Sequence, residues 1–121
     1  MNRMIIGAAA VLALAGIAVQ AQAAQWRLKA TQGDRAFVVV DPAQQANTAV
    51  LQQAADSVCK AGKGCLVMFW ADEALAPAKM PLTAAQSRGL VAQYARNPAT
   101  GSSELLLRCP AGDTSKKRCL K

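Results

Sequence analysis

The 121-residue chain contains no histidine, and that absence removes more chemistry than any other feature. Ser-His and Cys-His nucleophile pairs cannot be built, and the HExxH zinc motif is missing. The commonest general base near neutral pH is missing too. Aromatic residues are few: two Trp, two Phe and one Tyr, which leaves little for stacking on unpaired bases. Acids are scarce, seven Asp and Glu against fourteen Lys and Arg. A glycine-rich phosphate loop is lacking, because Gly62-Lys63-Gly64 does not follow a strand and open a helix as that motif requires. The sequence offers no evident catalytic centre, and neither a cofactor nor a bound metal is expected.

The longest apolar run lies at the N-terminus. Arg3 supplies one positive charge, Met4 to Val19 is an uncharged Ala/Leu/Ile/Val stretch, and Ala21 and Ala23 provide the A-x-A spacing of a signal-peptidase site. The run falls short of the roughly twenty residues that span a bilayer. Ile17 follows Leu14-Ala15-Gly16 where a lipid-attachment cysteine would stand. Residues 1–23 are therefore expected to be a cleaved signal peptide. Residues 24–121 are then one small domain, periplasmic or secreted, with no stable membrane span after cleavage. Of the fourteen Lys and Arg only Arg3 is in the leader, so thirteen face seven acids in the remainder, a net charge of +6. That balance suits an anionic protein or an envelope surface as partner. Nucleic acid is not expected, given the compartment.

Cys59, Cys65, Cys109 and Cys119 all lie beyond the leader. An even count in a short exported chain reads as a disulfide framework. The C-x5-C and C-x9-C spacings miss the short knuckles of structural zinc sites.

Local patterns supply the architecture. Trp26, Leu28 and Ala30 alternate with Arg27 and Lys29, which suits a half-buried strand. After the turn Thr31-Gln32-Gly33-Asp34, the run Arg35 to Val40 reads as a central strand, and the two form a hairpin. Asp41-Pro42-Ala43-Gln44 has the chemistry of a helix start. Ala46, Val50, Ala54 and Val58 recur on one face to an end near residue 61. Cys65 to Trp70 reads as a buried strand in parallel crossover. Thr83-Ala84-Ala85-Gln86 is a second capping box, predicting a helix that carries Leu90, Val91 and Tyr94 and stops before Asn97-Pro98. Glu104 to Arg108 is the last strand. The expected fold is α+β: a two-layer sandwich with a four-stranded mixed sheet, in the order β-β-α-β-α-β, with both helices on one face.

That arrangement predicts covalent connectivity. Cys59 and Cys65 fall at one end of the sheet. Cys109 ends a strand running parallel to the one Cys65 begins, roughly 15–20 Å away, beyond disulfide reach. The expected pairs are Cys59–Cys65 and Cys109–Cys119.

Phe69-Trp70-Ala71 followed by Leu75-Ala76-Pro77-Ala78-Lys79-Met80 resembles the strand-to-helix junction of thioredoxins, where an FWA-type strand runs into a CGPC-type motif followed by Lys and Met. The resemblance covers about a dozen residues. It implies a thioredoxin-like domain without its redox pair, because Leu75 and Ala78 stand where the cysteines would be and thiol exchange needs thiols.

Candidate binding residues fall in two groups. Trp70, with Leu75, Met80 and Leu82, reads as ordinary core or as an exposed apolar ledge beside Asp72 and Glu73. Those adjacent acids suit a helix N-cap and first turn, or a ligand site at a strand end, where open sheets bind ligands. Lys116, Lys117, Arg118 and Lys121 form a cationic cluster on the tail. The function these features suit is an exported interaction module: an inhibitor, an immunity-type protein or an envelope accessory. The alternative is a small-ligand binder or minor hydrolase using Asp72, Glu73 or Asp41.

Overall fold

The computed structural model describes residues 25–115 and 117–121, so the expected leader lies outside the described residues. Strand β1 (Trp26–Gln32) and strand β2 (Arg35–Val40) form the expected antiparallel hairpin, closed by Gly33 at φ 62° beside Asp34. The two-residue link needs a positive φ, which glycine adopts without steric cost. Ala36, Phe37, Val38 and Val40 are all buried, the signature of a strand covered on both faces.

The helix start at Asp41 is displaced. The Asp41 carboxylate accepts from the Ala43 amide and caps only a single 3-10 turn, Pro42–Gln44. Helix α1 spans Thr48–Val58, because the Asn47 side chain accepts from the Ala49 and Val50 amides at 3.1 and 3.3 Å and sets a second cap. Val50, Leu51, Ala54 and Ala55 are its buried face. The helix also ends earlier than expected, at Val58, where Cys59 turns to extended backbone.

Strand β3 (Cys65–Trp70) pairs parallel with β2, as the crossover requires. Beyond it a 3-10 turn (Glu73–Leu75) leads through a cis Met80–Pro81 bond to the capping box of Thr83 and Gln86. That box opens helix α2, but the helix covers only Ala84–Gly89. Leu90–Asn97 is strand β4, antiparallel to β3, and Ser102–Leu107 is strand β5, antiparallel to β4.

Two expectations are thereby corrected. The sheet has five strands in sequence order, β1-β2-β3-β4-β5, because the segment read as a helix through Tyr94 is mostly a strand. Gly89 is a weak helix residue, and it sits where a Cβ would lie 2.8 Å from Leu75 Cδ1. Ala92 and Tyr94 then alternate with half-buried Val91 and Gln93, the period of a strand. The register shift opposite Phe69 and Trp70 turns Leu90 to the other face.

The two helices also lie on opposite faces. Helix α1 covers Ala36, Val38, Val40, Val67, Phe69, Ala92 and Tyr94. Helix α2 and the irregular segment before it cover Phe37, Met68, Trp70 and Leu90. The second face is shielded by loop rather than by a crossover helix, since an antiparallel β3–β4 pair needs no crossover.

Both expected disulfides form, with Cα–Cα separations of 5.7 Å for Cys59–Cys65 and 5.1 Å for Cys109–Cys119. β3 and β5 run in the same direction although β4 lies between them, so Cys65 and Cys109 do stand at opposite ends. Two disulfides suit an extracellular or otherwise oxidising environment. No helix among the described residues is long and apolar enough to cross a membrane.

The tail returns along β5. The Cys109 amide donates to the Leu120 carbonyl at 2.7 Å, and the Leu120 amide donates to the Leu107 carbonyl at 2.8 Å. Arg108 fastens the same corner: Nε donates to the Leu90 carbonyl at 2.8 Å and Nη2 to the Ser87 carbonyl at 2.7 Å. A cation is well placed there, where a helix exposes its last carbonyls.

Candidate functional site

The end of the sheet where β2 and β3 finish holds most of the residues singled out in the sequence. Of the two readings of Trp70, core or exposed ledge, the structure shows core. The residue is fully buried, its ring centroid lies 6.1 Å from that of Phe37, and its indole N–H donates to the Gln86 carbonyl at 2.8 Å. Leu75, Met80 and Leu82 pack against the same cluster, so the ledge is core.

The carboxylates at this end have local tasks. Asp72 accepts from the Ala74 amide at 2.9 Å and Asp41 from Ala43 at 2.9 Å, each fixing a 3-10 turn. Glu73 is ion-paired with Arg27. Lys29 reaches over from β1 to donate to the Ala76 carbonyl at 2.6 Å. Trp26, Arg27, Asp41, Pro42 and Glu73 line an open hollow of about 320 Å³ between them. After β3, the segment resembling thioredoxins makes one 3-10 turn and then continues as irregular, bent chain through Pro77 and Pro81. A helix does not start there.

The tail is more organised than its composition suggests. Arg118 grips Glu104 on β5 with two parallel hydrogen bonds of 2.6 and 2.7 Å, the fork geometry in which arginine binds carboxylates best. Lys117 and Lys121 are exposed, and Lys116 lies outside the described residues. The hydrogen bonds from Arg118, then its charge, hold the Glu104 carboxyl below its ordinary value, while Glu104 raises Arg118.

A depressed carboxyl contributes its stabilisation above its unfolded value and loses it as the pH falls through the folded one. The Arg118 Nε–H resonance is therefore expected to keep its paired shift at neutral pH. It should revert to that of a free guanidinium in acid below the usual carboxylate range, and Glu104→Gln should show the acid form at every pH. An unchanged resonance across that window would mean the pair does not persist in solution. Asp113, which accepts from the Ser115 amide at 2.8 Å, is also held low, chiefly by that bond. It stands beside Cys109 and Cys119, but those sulfurs are joined to each other.

The opposite end of the sheet holds a cluster the sequence reading passed over. Arg35 opens β2, and Lys60 and Lys63 stand on the loop between α1 and β3. Together with Thr31, Asp34, Val58 and Cys65 they line an open cleft of about 410 Å³. Three segments meet there for definite reasons. The Gly33 turn ends the hairpin, the Leu66 amide donates to the Asp34 carbonyl at 3.0 Å, and the Cys59–Cys65 bond closes the lysine-bearing loop. Behind that loop, Arg96 on β4 donates to the Lys60 carbonyl at 3.1 Å.

Charge is left over at this end. Among the described residues the ion pairs are Arg27–Glu73 and Arg118–Glu104. Arg35, Lys60 and Lys63 have no carboxylate partner among them, and Asp34 is the one acid in the cleft lining.

A signal for this cluster exists in the sequence. Two lysines fall inside the bracket Cys59–Cys65, and Arg35 begins the strand that the crossover makes parallel to β3. Parallel neighbours start at the same end, so all three cations could have been placed together.

No protein-family model, curated protein or solved structure matches the chain.

Proposed function

We propose that the protein is an exported interaction module, periplasmic or secreted, that binds an anionic partner of the cell envelope through the cationic end of its sheet. The observation that carries this is the convergence of Arg35, Lys60 and Lys63 on one open cleft without carboxylate partners. Like charges held together repel, and an anion supplied from outside relieves that repulsion. Of the other nine described cations, five are committed, Arg27 and Arg118 to carboxylates and Lys29, Arg96 and Arg108 to backbone carbonyls, and Lys79, Arg88, Lys117 and Lys121 do not line the cleft. Two disulfides keep such a surface in shape in an oxidising compartment. The buried set among the described residues is hydrophobic, with Tyr94 its one hydroxyl-bearing side chain and no carboxylate or amine in it.

The test is a crosslinked capture from the native envelope with the processed chain. At low salt one partner in near-equal amount is expected. Capture should fall by about tenfold or more in high salt, since exposed charge pairs are screened, and in the double variant R35Q/K63Q. Asp72→Ala and Glu73→Ala should capture as well as the parent. Enrichment equal to a tag control, or capture lost with Asp72→Ala and not with R35Q/K63Q, would overturn the proposal.

A further inference from the structure

Resting on that reading, we infer that the cleft of Arg35, Lys60 and Lys63 is a site for a phosphate monoester, the dianionic form of a phosphoryl group. The charge count points to it. Three cations and the single carboxylate of Asp34 line the cleft, leaving two positive charges to be met by a ligand. A carboxylate or a phosphodiester brings one negative charge, whereas a monoester brings nearly two at neutral pH.

The donor set fits the same group. Arg35 offers a planar fork that can bind two phosphoryl oxygens at once, and each lysine offers a compact ammonium for a further oxygen. A volume of about 410 Å³ is within the range of roughly 300–1,000 Å³ of small-molecule sites. It exceeds what a lone phosphate fills, so the esterified remainder of the ligand can rest against Val58 and Ala36 in the lining.

The cleft is also largely formed in advance. The loop that carries both lysines is closed by the Cys59–Cys65 bond and hydrogen-bonded through the Lys60 carbonyl to Arg96. Little ordering remains to be done on binding, which favours affinity.

A phosphate monoester of this kind is found both on small soluble metabolites and on acidic lipid headgroups, and the experiment separates the two. The processed chain is titrated at constant ionic strength with glycerol 3-phosphate, with dimethyl phosphate, and with phosphatidylcholine vesicles with and without phosphatidic acid. Backbone amide resonances are followed throughout.

Saturable shifts confined to residues 33–36 and 59–65 are expected with glycerol 3-phosphate, about tenfold weaker with dimethyl phosphate, and reduced at least about tenfold in R35Q/K63Q. The spectrum of that variant should otherwise keep the parent's dispersion, since both side chains are exposed. If the soluble ester saturates the site and phosphatidic acid vesicles do not retain the protein, the source is a free metabolite. Retention on phosphatidic acid and not on phosphatidylcholine alone identifies a headgroup.

Equal affinity for the diester, shifts spread over the tail instead of the cleft, or an unchanged response in R35Q/K63Q would overturn the inference. Should capture of the envelope partner remain sensitive to R35Q/K63Q while the monoester shows no preference over the diester, the inference fails and the interaction module stands. Should the monoester bind and no partner be captured, the reverse holds.

Discussion

Trp70→Ala is expected to lower folding stability by about 3–5 kcal/mol, the usual range for removing a large buried aromatic. Trp70 is among the largest fully buried side chains, and it joins three pieces of the second face. Its ring neighbours Phe37 on β2. A Cβ on Gly89 would lie 3.4 Å from its Cδ1, so helix α2 rests directly on the indole. Its N–H satisfies the Gln86 carbonyl inside that helix. Truncation opens a void and also deprives a half-buried carbonyl of its donor, a cost of about 1–3 kcal/mol where water cannot enter.

A domain of this size holds only about 5–15 kcal/mol in total, so the variant should sit near the edge of folding. Urea titration measures the loss, and Trp70→Phe, which keeps most of the apolar volume, should lose markedly less. A loss below about 1 kcal/mol in the alanine variant would mean that the loop from Ala71 to Gly89 does not close over the sheet.

Cys59→Ala with Cys65→Ala is expected to lower stability by about 2 kcal/mol and to loosen the cationic cleft at the same time. The bridge closes a short loop, with a sequence separation of 6, and chain entropy for such a loop gives about 2 kcal/mol. Alanine is preferred to serine because Cys59 is buried and a hydroxyl there would need a partner. Cys59 caps helix α1 and Cys65 begins β3, so the bond holds the lysine loop against both elements. Thermal unfolding reads the stability. Amide exchange across residues 60–64 reads the loop, and it should accelerate far more there than in β5. Equal acceleration everywhere would show that the bond acts on the unfolded chain alone.

How far the fold could be read from the residues depended on whether the deciding signal was local. The β1–β2 hairpin follows from alternation and the Gly33-Asp34 turn, and the β2–α1–β3 unit from apolar runs bracketing a helical stripe. The disulfide pairs follow from strand direction alone, so they came out as expected although a whole strand was missed. What failed was the stretch after Thr83. Its capping box is real, but a cap says where a helix starts and nothing about its length. Leu90, Val91 and Tyr94 suit a helical face as well as a strand, and the choice was made by packing at Gly89 and by pairing with β3. Asp41 failed in the same way at the other helix, where Asn47 sets the cap. The site was harder. Trp70 ends a run that reads as a buried strand, but nothing in that run signals what covers it there, the loop and helix α2 from later in the chain. Arg118 reads as free charge until β5 supplies Glu104. The cleft is visible only when the hairpin turn, the end of α1 and the loop before β3 are brought together, because its cations are spread over 29 positions from Arg35 to Lys63.

The C-terminal strap has a consequence for how molecules of this protein meet one another. A strand at the rim of a sheet carries a row of unused backbone donors and acceptors, which invites strand-by-strand growth into fibre-like stacks. On β5 that row is occupied at Leu107 by the chain's own Leu120. The adjoining stretch is guarded by the charges of Glu104 and Arg118. At the other rim β1 carries Arg27 and Lys29 and an irregular register between Leu28 and Ala30, which spoils a flat template. Cys109–Cys119 is thus a solubility clamp as well as a staple. While it holds, Leu120 covers the Leu107 end of the rim, and in a reducing environment that end is expected to become free to pair with a neighbour.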